Sequence, residues 1–112
     1  ELTLHMAAWA EIAAARMGGE RLTYPSHDDD WPPVDESVAD AAWDAARARL
    51  YLAYETLARL ANALGESALD QPVAGQSAAD RHTIREMLEG VVEHGAYHGG
   101  QVALMRRVRT PR

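Results

Sequence analysis

Six residues toward the C-terminal end, Met87, Val91, His94, His98, Val102 and Met105, recur at steps of three and four. That is the period of one face of an α-helix, and such a stripe has to be buried against a neighbour. Two of the six are histidines four residues apart, so they stand one above the other on the inward face. Two imidazoles so placed can hold one divalent ion from the same side. Their surroundings, Glu93-His94-Gly95-Ala96-Tyr97-His98-Gly99-Gly100-Gln101, include three glycines. Each costs about 1 kcal/mol against alanine inside a helix. Close approach by another helix or by a ligand is the physical reason to accept that cost there.

The rest of the chain supplies helical partners. Leu2 to Met17 reads as a helix whose Leu2, His5, Met6, Trp9, Ile12, Ala13 and Arg16 share one face, with Gly18-Gly19 as its stop. His5 lies on that stripe and faces inward. No capping residue precedes Leu2, so the helix is expected to begin further upstream. Glu20 to Val34 has no helical period and contains Pro25, Pro32 and Pro33, so it reads as a loop of about fifteen residues. His27 and the run Asp28-Asp29-Asp30 read as solvated loop rather than a second metal site, and Trp31 as the residue that pins the loop down. Asp35 to Leu64 reads as a long packing helix, capped by Asp35 or Ser37 and ended by Gly65. Its stripe is Trp43, Ala46, Leu50, Ala53, Tyr54, Leu57, Leu60, Ala61 and Leu64. Glu66 to Ala79 is a connector. Thr83-Ile84-Arg85-Glu86 fits a capping box, with Asp80 as a competing cap, for a final helix running to about Val108.

Composition narrows the chemistry. The 112 residues suit one domain, residues 1–112, and with no Phe and 6% aromatics the core must rest on small residues, which favours close-packed helices. A net charge of −6 disfavours a nucleic-acid partner. The basic cluster Arg106, Arg107, Arg109 and Arg112 is expected to complement the dipole of the last helix. Cysteine is absent, which excludes disulfides, thiolate metal sites and a cysteine nucleophile. Any metal must use His, Asp or Glu. No apolar run approaches a membrane span and no signal peptide is visible, so the expected compartment is the cytoplasm, with no membrane partner.

His5 turns a helical pair into a triad. Three buried imidazoles without partners are costly, and one shared divalent ion satisfies all of them. Three protein ligands leave one or more positions on the ion open.

Leu4-His5-Met6-Ala7-Ala8-Trp9 followed by Gly18-Gly19 resembles the second helix of DinB/YfiT-like proteins. Thr83-Ile84-Arg85-Glu86-Met87-Leu88 through His94, His98, Gly99, Gly100 and Gln101 resembles their fourth. The resemblance implies an all-α, up-down-down-up four-helix bundle whose first helix precedes Glu1. It implies a divalent ion, zinc, nickel or similar, on His5, His94 and His98, and often a homodimer. Gly99 stands where the family's His-Arg-Gly-Gln run often has arginine, so that charge is not carried over. The implied activity is transfer of a low-molecular-weight thiol, of the bacillithiol or mycothiol type, to an electrophile in stress or detoxification. Metal-dependent hydrolysis, or a non-catalytic metal- or ligand-binding stress protein, are the alternatives. The family's name refers to induction by DNA damage, not to DNA binding. Gln101, seven residues after His94 on the same face, is the expected catalytic residue, orienting the group bound at the ion.

Overall fold

Three long helices carry the architecture. The computed structural model describes residues 1–20, 25–76, 79 and 81–109, apart from the side chain of Glu36. The long helices are α1 (Leu2–Met17), α3 (Ala39–Ala63) and α5 (Ile84–Arg109), and two single turns, α2 (His27–Asp30) and α4 (Glu66–Leu69), sit in the connections. No named strand occurs among the described residues; one isolated bridge pairs Pro72 with Thr83.

The ends of the helices follow from local chemistry. At the C-terminus of α1, Gly19 takes φ +86°, the left-handed backbone that favours glycine, and the Glu20 amide donates back to the Ala15 carbonyl at 3.1 Å. Asp35 does act as a cap: its carboxylate accepts from the Ser37 amide at 2.9 Å and the Ser37 hydroxyl at 2.6 Å. Those two hydrogen bonds hold the Asp35 carboxyl below its ordinary pKa. The turn it caps, Glu36–Val38, is 3-10, and the α-helix proper starts only at Ala39. Thr83 and Glu86 form the reciprocal capping box, with Thr83 N–H to Glu86 Oε2 at 2.8 Å and Glu86 N–H to Thr83 Oγ1 at 3.1 Å. Asp80, the competing cap, lies outside the described residues, as does Arg112 at the end of the basic cluster.

Helix α1 is the central element. It packs on α3 along one side and on α5 along the other, while no Cα atoms of α3 and α5 approach within 8 Å. The contact is made by alanines, Ala7, Ala10 and Ala13 of α1 against Ala53 and Leu57 of α3, with Met87, Leu88 and Val91 of α5 closing over it. Short side chains let the helices approach closely, which a Phe-free sequence requires. A two-pronged ion pair from Arg49 to Glu11, at 2.8 and 2.7 Å, adds a surface tie between α3 and α1. Arg85 anchors the α4 region to α5 through Asp70 and Glu66, both at 2.9 Å.

One of the three glycines beside the histidines of α5 has a packing reason. A Cβ at Gly95 would stand 2.9 Å from the hydroxyl of Tyr54, which reaches over from α3. That hydroxyl is buried with no hydrogen-bond partner, and burial raises its pKa. Gly99 and Gly100 have nothing within 4 Å of the corresponding position.

The hydrophobic stripes are covered only in part. Val102 is 38% exposed and Met105 51%, although both continue the stripe of His94 and His98. Trp43, expected in the packed face of α3, is 55% exposed. Among the described residues no element lies over these positions; the stripe is present but its neighbour is not. No helix is long and apolar enough to cross a membrane among the described residues.

Candidate metal centre

Helices α1 and α5 run antiparallel, so His5 near the start of α1 meets His94 and His98 in the middle of α5. His5 Nε2 lies 3.0 Å from His94 Nε2, and His98 Nε2 also lies 3.0 Å from His94 Nε2. All three histidines can offer one ring nitrogen each within 4.8 Å of one another, and His5 and His98 are buried. Ligand nitrogens about 2.0–2.1 Å from one ion stand about 3.3 Å apart in tetrahedral geometry and about 2.9 Å apart when octahedral. The two 3.0 Å separations from His94 fall in that interval.

The far sides of the rings fix their tautomers. His5 Nδ1 is 3.0 Å from the carbonyl oxygen of Asp30 and 2.8 Å from its Oδ1. A carbonyl only accepts, so Nδ1 carries the hydrogen and Nε2 of the neutral ring carries the lone pair. His98 Nδ1 lies 2.6 Å from Gln101 Oε1, which sets the same tautomer there. Two lone pairs then converge on His94 Nε2, which has at most one hydrogen to give. Protons alone leave one buried nitrogen unsatisfied, and a divalent cation among the three satisfies them all. The donor set therefore fits a metal ion. His94 is readied for that role because burial, and then the proximity of His98 and His5, lower its pKa against the opposing pull of Asp30. It is neutral at pH 7, as a ligand must be.

Residues 1–102 match the model of the DinB superfamily. The chain belongs to the DinB superfamily. No curated protein and no solved structure matches it. Family membership and the histidine triad together fit a metal-binding protein.

What supports the triad in this DinB-superfamily chain comes from the loop. Asp30, at the end of α2, accepts the Trp9 indole N–H at 2.7 Å on the same Oδ1 that faces His5. Trp31 lies flat on the His5 ring, centroids 4.0 Å apart and planes 8° from parallel. The acidic run thus divides. Asp28 and Asp29 are exposed, with His27 against Asp28 at 3.4 Å, whereas Asp30 is drawn in and holds the back edge of the His5 ring in the way carboxylates hold metal-binding histidines. Sequence reasoning did not single out Asp30. The available signal was its place next to Trp31: a tryptophan that docks a loop brings its neighbours with it.

A cleft of about 390 Å³ opens beside His5 and His94 and runs between α1 and α5, walled by Trp9, Met87 and Val91. Gly90 lines it, and Asp30 brings the loop to its edge. Gly99 and Gly100, expected to leave room beside His98, are exposed and do not line it. Gln101 stands behind His98 with its amide oxygen on the ring. Tyr97 is exposed, with its ring centroid 5.1 Å from that of His98, and Glu93 is exposed as well.

Proposed function

We propose that this chain is a divalent-metal-dependent enzyme that transfers a low-molecular-weight thiol, of the bacillithiol or mycothiol type, to an electrophile. The observation that carries the proposal is the convergence of three imidazole nitrogens, two with their other nitrogen already hydrogen-bonded, beside a cleft that His5 and His94 line. His5, His94 and His98 would hold the ion through Nε2. An ion of the zinc or nickel type supplies Lewis acidity, lowering the pKa of a thiol or a water so that it reacts at neutral pH. In the transfer a sulfur–carbon bond forms, the thiol proton passes to solvent, and the leaving group departs with the electron pair of the bond it breaks.

The protein's own residues do the rest. Asp30 and Gln101 hold the rings of His5 and His98 in register, so Gln101 acts through His98 as a positioning residue. Trp31 shields the His5 ring from water, and the cleft wall of Trp9, Met87 and Val91 receives an apolar reactant. The exposed apolar faces of α3 and α5 support an up-down-down-up bundle completed by a fourth helix, and a homodimer. The compartment consistent with a low-molecular-weight thiol is the cytoplasm, with no nucleic acid or membrane as partner.

The test is metal reconstitution followed by assay. Protein loaded with zinc, nickel or manganese is mixed with several bacterial thiols and a bromobimane acceptor, and thioether formation is followed. A metal-dependent rate with at least one thiol, absent in His94→Ala, is expected. A metal-dependent rate only with esters or amides would replace transfer by hydrolysis. Metal binding without any such rate would leave a binding module.

A further inference from the structure

Helix α5 holds four glycines, and three of them stand apart from the cleft. Gly95 makes room for Tyr54, and Gly99 and Gly100 do not line the cleft. Gly90 does line it. It lies inside the helix, where glycine lowers stability relative to alanine. No packing contact asks for it, since nothing lies within 4 Å of where a Cβ would stand. The space it leaves belongs to the cleft. Side chains lean toward the N-terminus of their helix, so the His94 ring leans toward the turn that holds Gly90, four residues before it. Bare backbone at Gly90 therefore widens the cleft next to a candidate ligand.

The rest of the lining indicates what would fill that width. Trp9, Ile12 and Ala13 of α1 and Met87 and Val91 of α5 offer mainly apolar surface. The ionic groups there are already engaged, Asp30 with His5 and Trp9, and Arg16 by an interaction of its own within the protein. A charged guest would give up water for walls with no uncommitted counter-charge. We infer that Gly90 is a specificity-determining residue: by leaving the α5 wall bare beside His94, it admits a compact, uncharged apolar reactant as wide as a single aromatic ring, where a larger side chain would confine the cleft to narrow, linear ones. A volume of about 390 Å³, at the small end for ligand pockets, suits such a body. The inference rests on the metal-dependent reading only for what happens to the guest once it is bound.

Two uncharged probes test it, 4-fluorotoluene, which is ring-wide, and 1-fluoropentane, which is chain-narrow. Neither is a useful metal ligand. Each is titrated into the metal-free chain and followed by fluorine NMR, and zinc affinity is measured separately by competition with a chelator. The wild-type chain should bind both saturably. Gly90→Leu should weaken 4-fluorotoluene at least about tenfold and 1-fluoropentane less than about threefold, as overfilling penalises the wider guest. Gly90→Ala should fall between the two chains for the ring and should raise the urea midpoint, because the helix gains and no contact is lost. Gly99→Ala should raise the midpoint likewise and leave both probes unchanged. Zinc affinity should be unchanged in all three variants, which reports an intact triad. Ring binding by Gly90→Leu equal to that of the wild-type chain, equal loss of both probes, a lowered urea midpoint in Gly90→Ala, or no saturable binding by the wild-type chain would overturn the inference. Because the probes are read without metal or turnover, failure of the thiol-transfer reading would leave this result standing, and failure of this result would leave a metal centre with a different reactant.

Discussion

The two halves of α5 carry the same hydrophobic period and meet opposite fates. From Met87 to His98 the stripe lies against α1, and two of its members become candidate ligands. From Val102 to Arg109 the same stripe faces outward, with Met105 51% exposed. A period of 3.6 tells which way a side chain points along its helix; it does not tell whether anything stands there to receive it. The first half is organised by a neighbour and by a loop that folds back onto it. The second half has the pattern alone.

The largest effect expected from this contrast is on metal affinity. His94→Ala should reduce zinc affinity more than about 100-fold, since it removes a direct ligand where loss of a supporting group costs about 10- to 100-fold. Met105→Ala, eleven residues on along the same stripe, should leave zinc affinity unchanged and shift stability by less than about 0.5 kcal/mol. Competition with a chromophoric chelator and a urea melt measure the two. A large loss in Met105→Ala would show that the second half is covered after all and would break the comparison.

A smaller effect, which sharpens it, concerns the loop. Asp30→Ala removes the carboxylate that faces the His5 ring and accepts the Trp9 indole N–H, leaving only the backbone carbonyl of residue 30 on His5 Nδ1, so zinc affinity should fall about 10- to 100-fold, with the helical circular dichroism retained. Gln101→Ala, at the border between the halves, removes one hydrogen bond to one ring and should weaken binding less than Asp30→Ala. The reverse order would place the organising contact on α5 itself rather than on the loop.

The smallest effect is on the pH dependence of the metal-free protein. His94 has a pKa lowered by burial, so between the ordinary value of 6.5 and the lowered one the unfolded chain binds more protons than the folded chain. Its contribution to stability is complete above about pH 6.5 and is lost as the pH falls through the lowered value. The urea midpoint should decline below pH 6.5, and the decline should be shallower in His94→Gln. An unchanged slope in that variant would count against the covered environment of His94.

Much of this could be read from residues alone because it is local. Leu2–Met17 is helical as its stripe requires and stops at Gly18-Gly19, and the capping box of Thr83 and Glu86 forms as its spacing requires. The three histidines were identifiable because burying an imidazole on an apolar face demands a reason. The long-range facts were not accessible in the same way. Asp30 differs from Asp28 and Asp29 only by where the loop lands, and no periodicity encodes that. The turns α2 and α4 fell inside stretches read as loop and connector, since single turns have too few residues to show a period. Gly95 needed Tyr54, forty-one residues away in sequence, before its lack of a side chain had an explanation.

His5 and His94 meet across a sequence separation of 89. Contacts of that span are the last that a folding polypeptide can secure, since closing so long a loop is opposed by chain entropy until the helices between are in place. Metal uptake at this centre would therefore be coupled to completion of the tertiary structure, since a nascent or partly unfolded chain has only the His94 and His98 pair to offer. Once bound, an ion would clasp the first long helix to the last, in the manner of a crosslink whose stabilising ceiling for a loop of this length is about 4–5 kcal/mol. Chelators should accordingly accelerate unfolding as well as stop any chemistry, and the rate at which zinc enters should report how fast the chain closes.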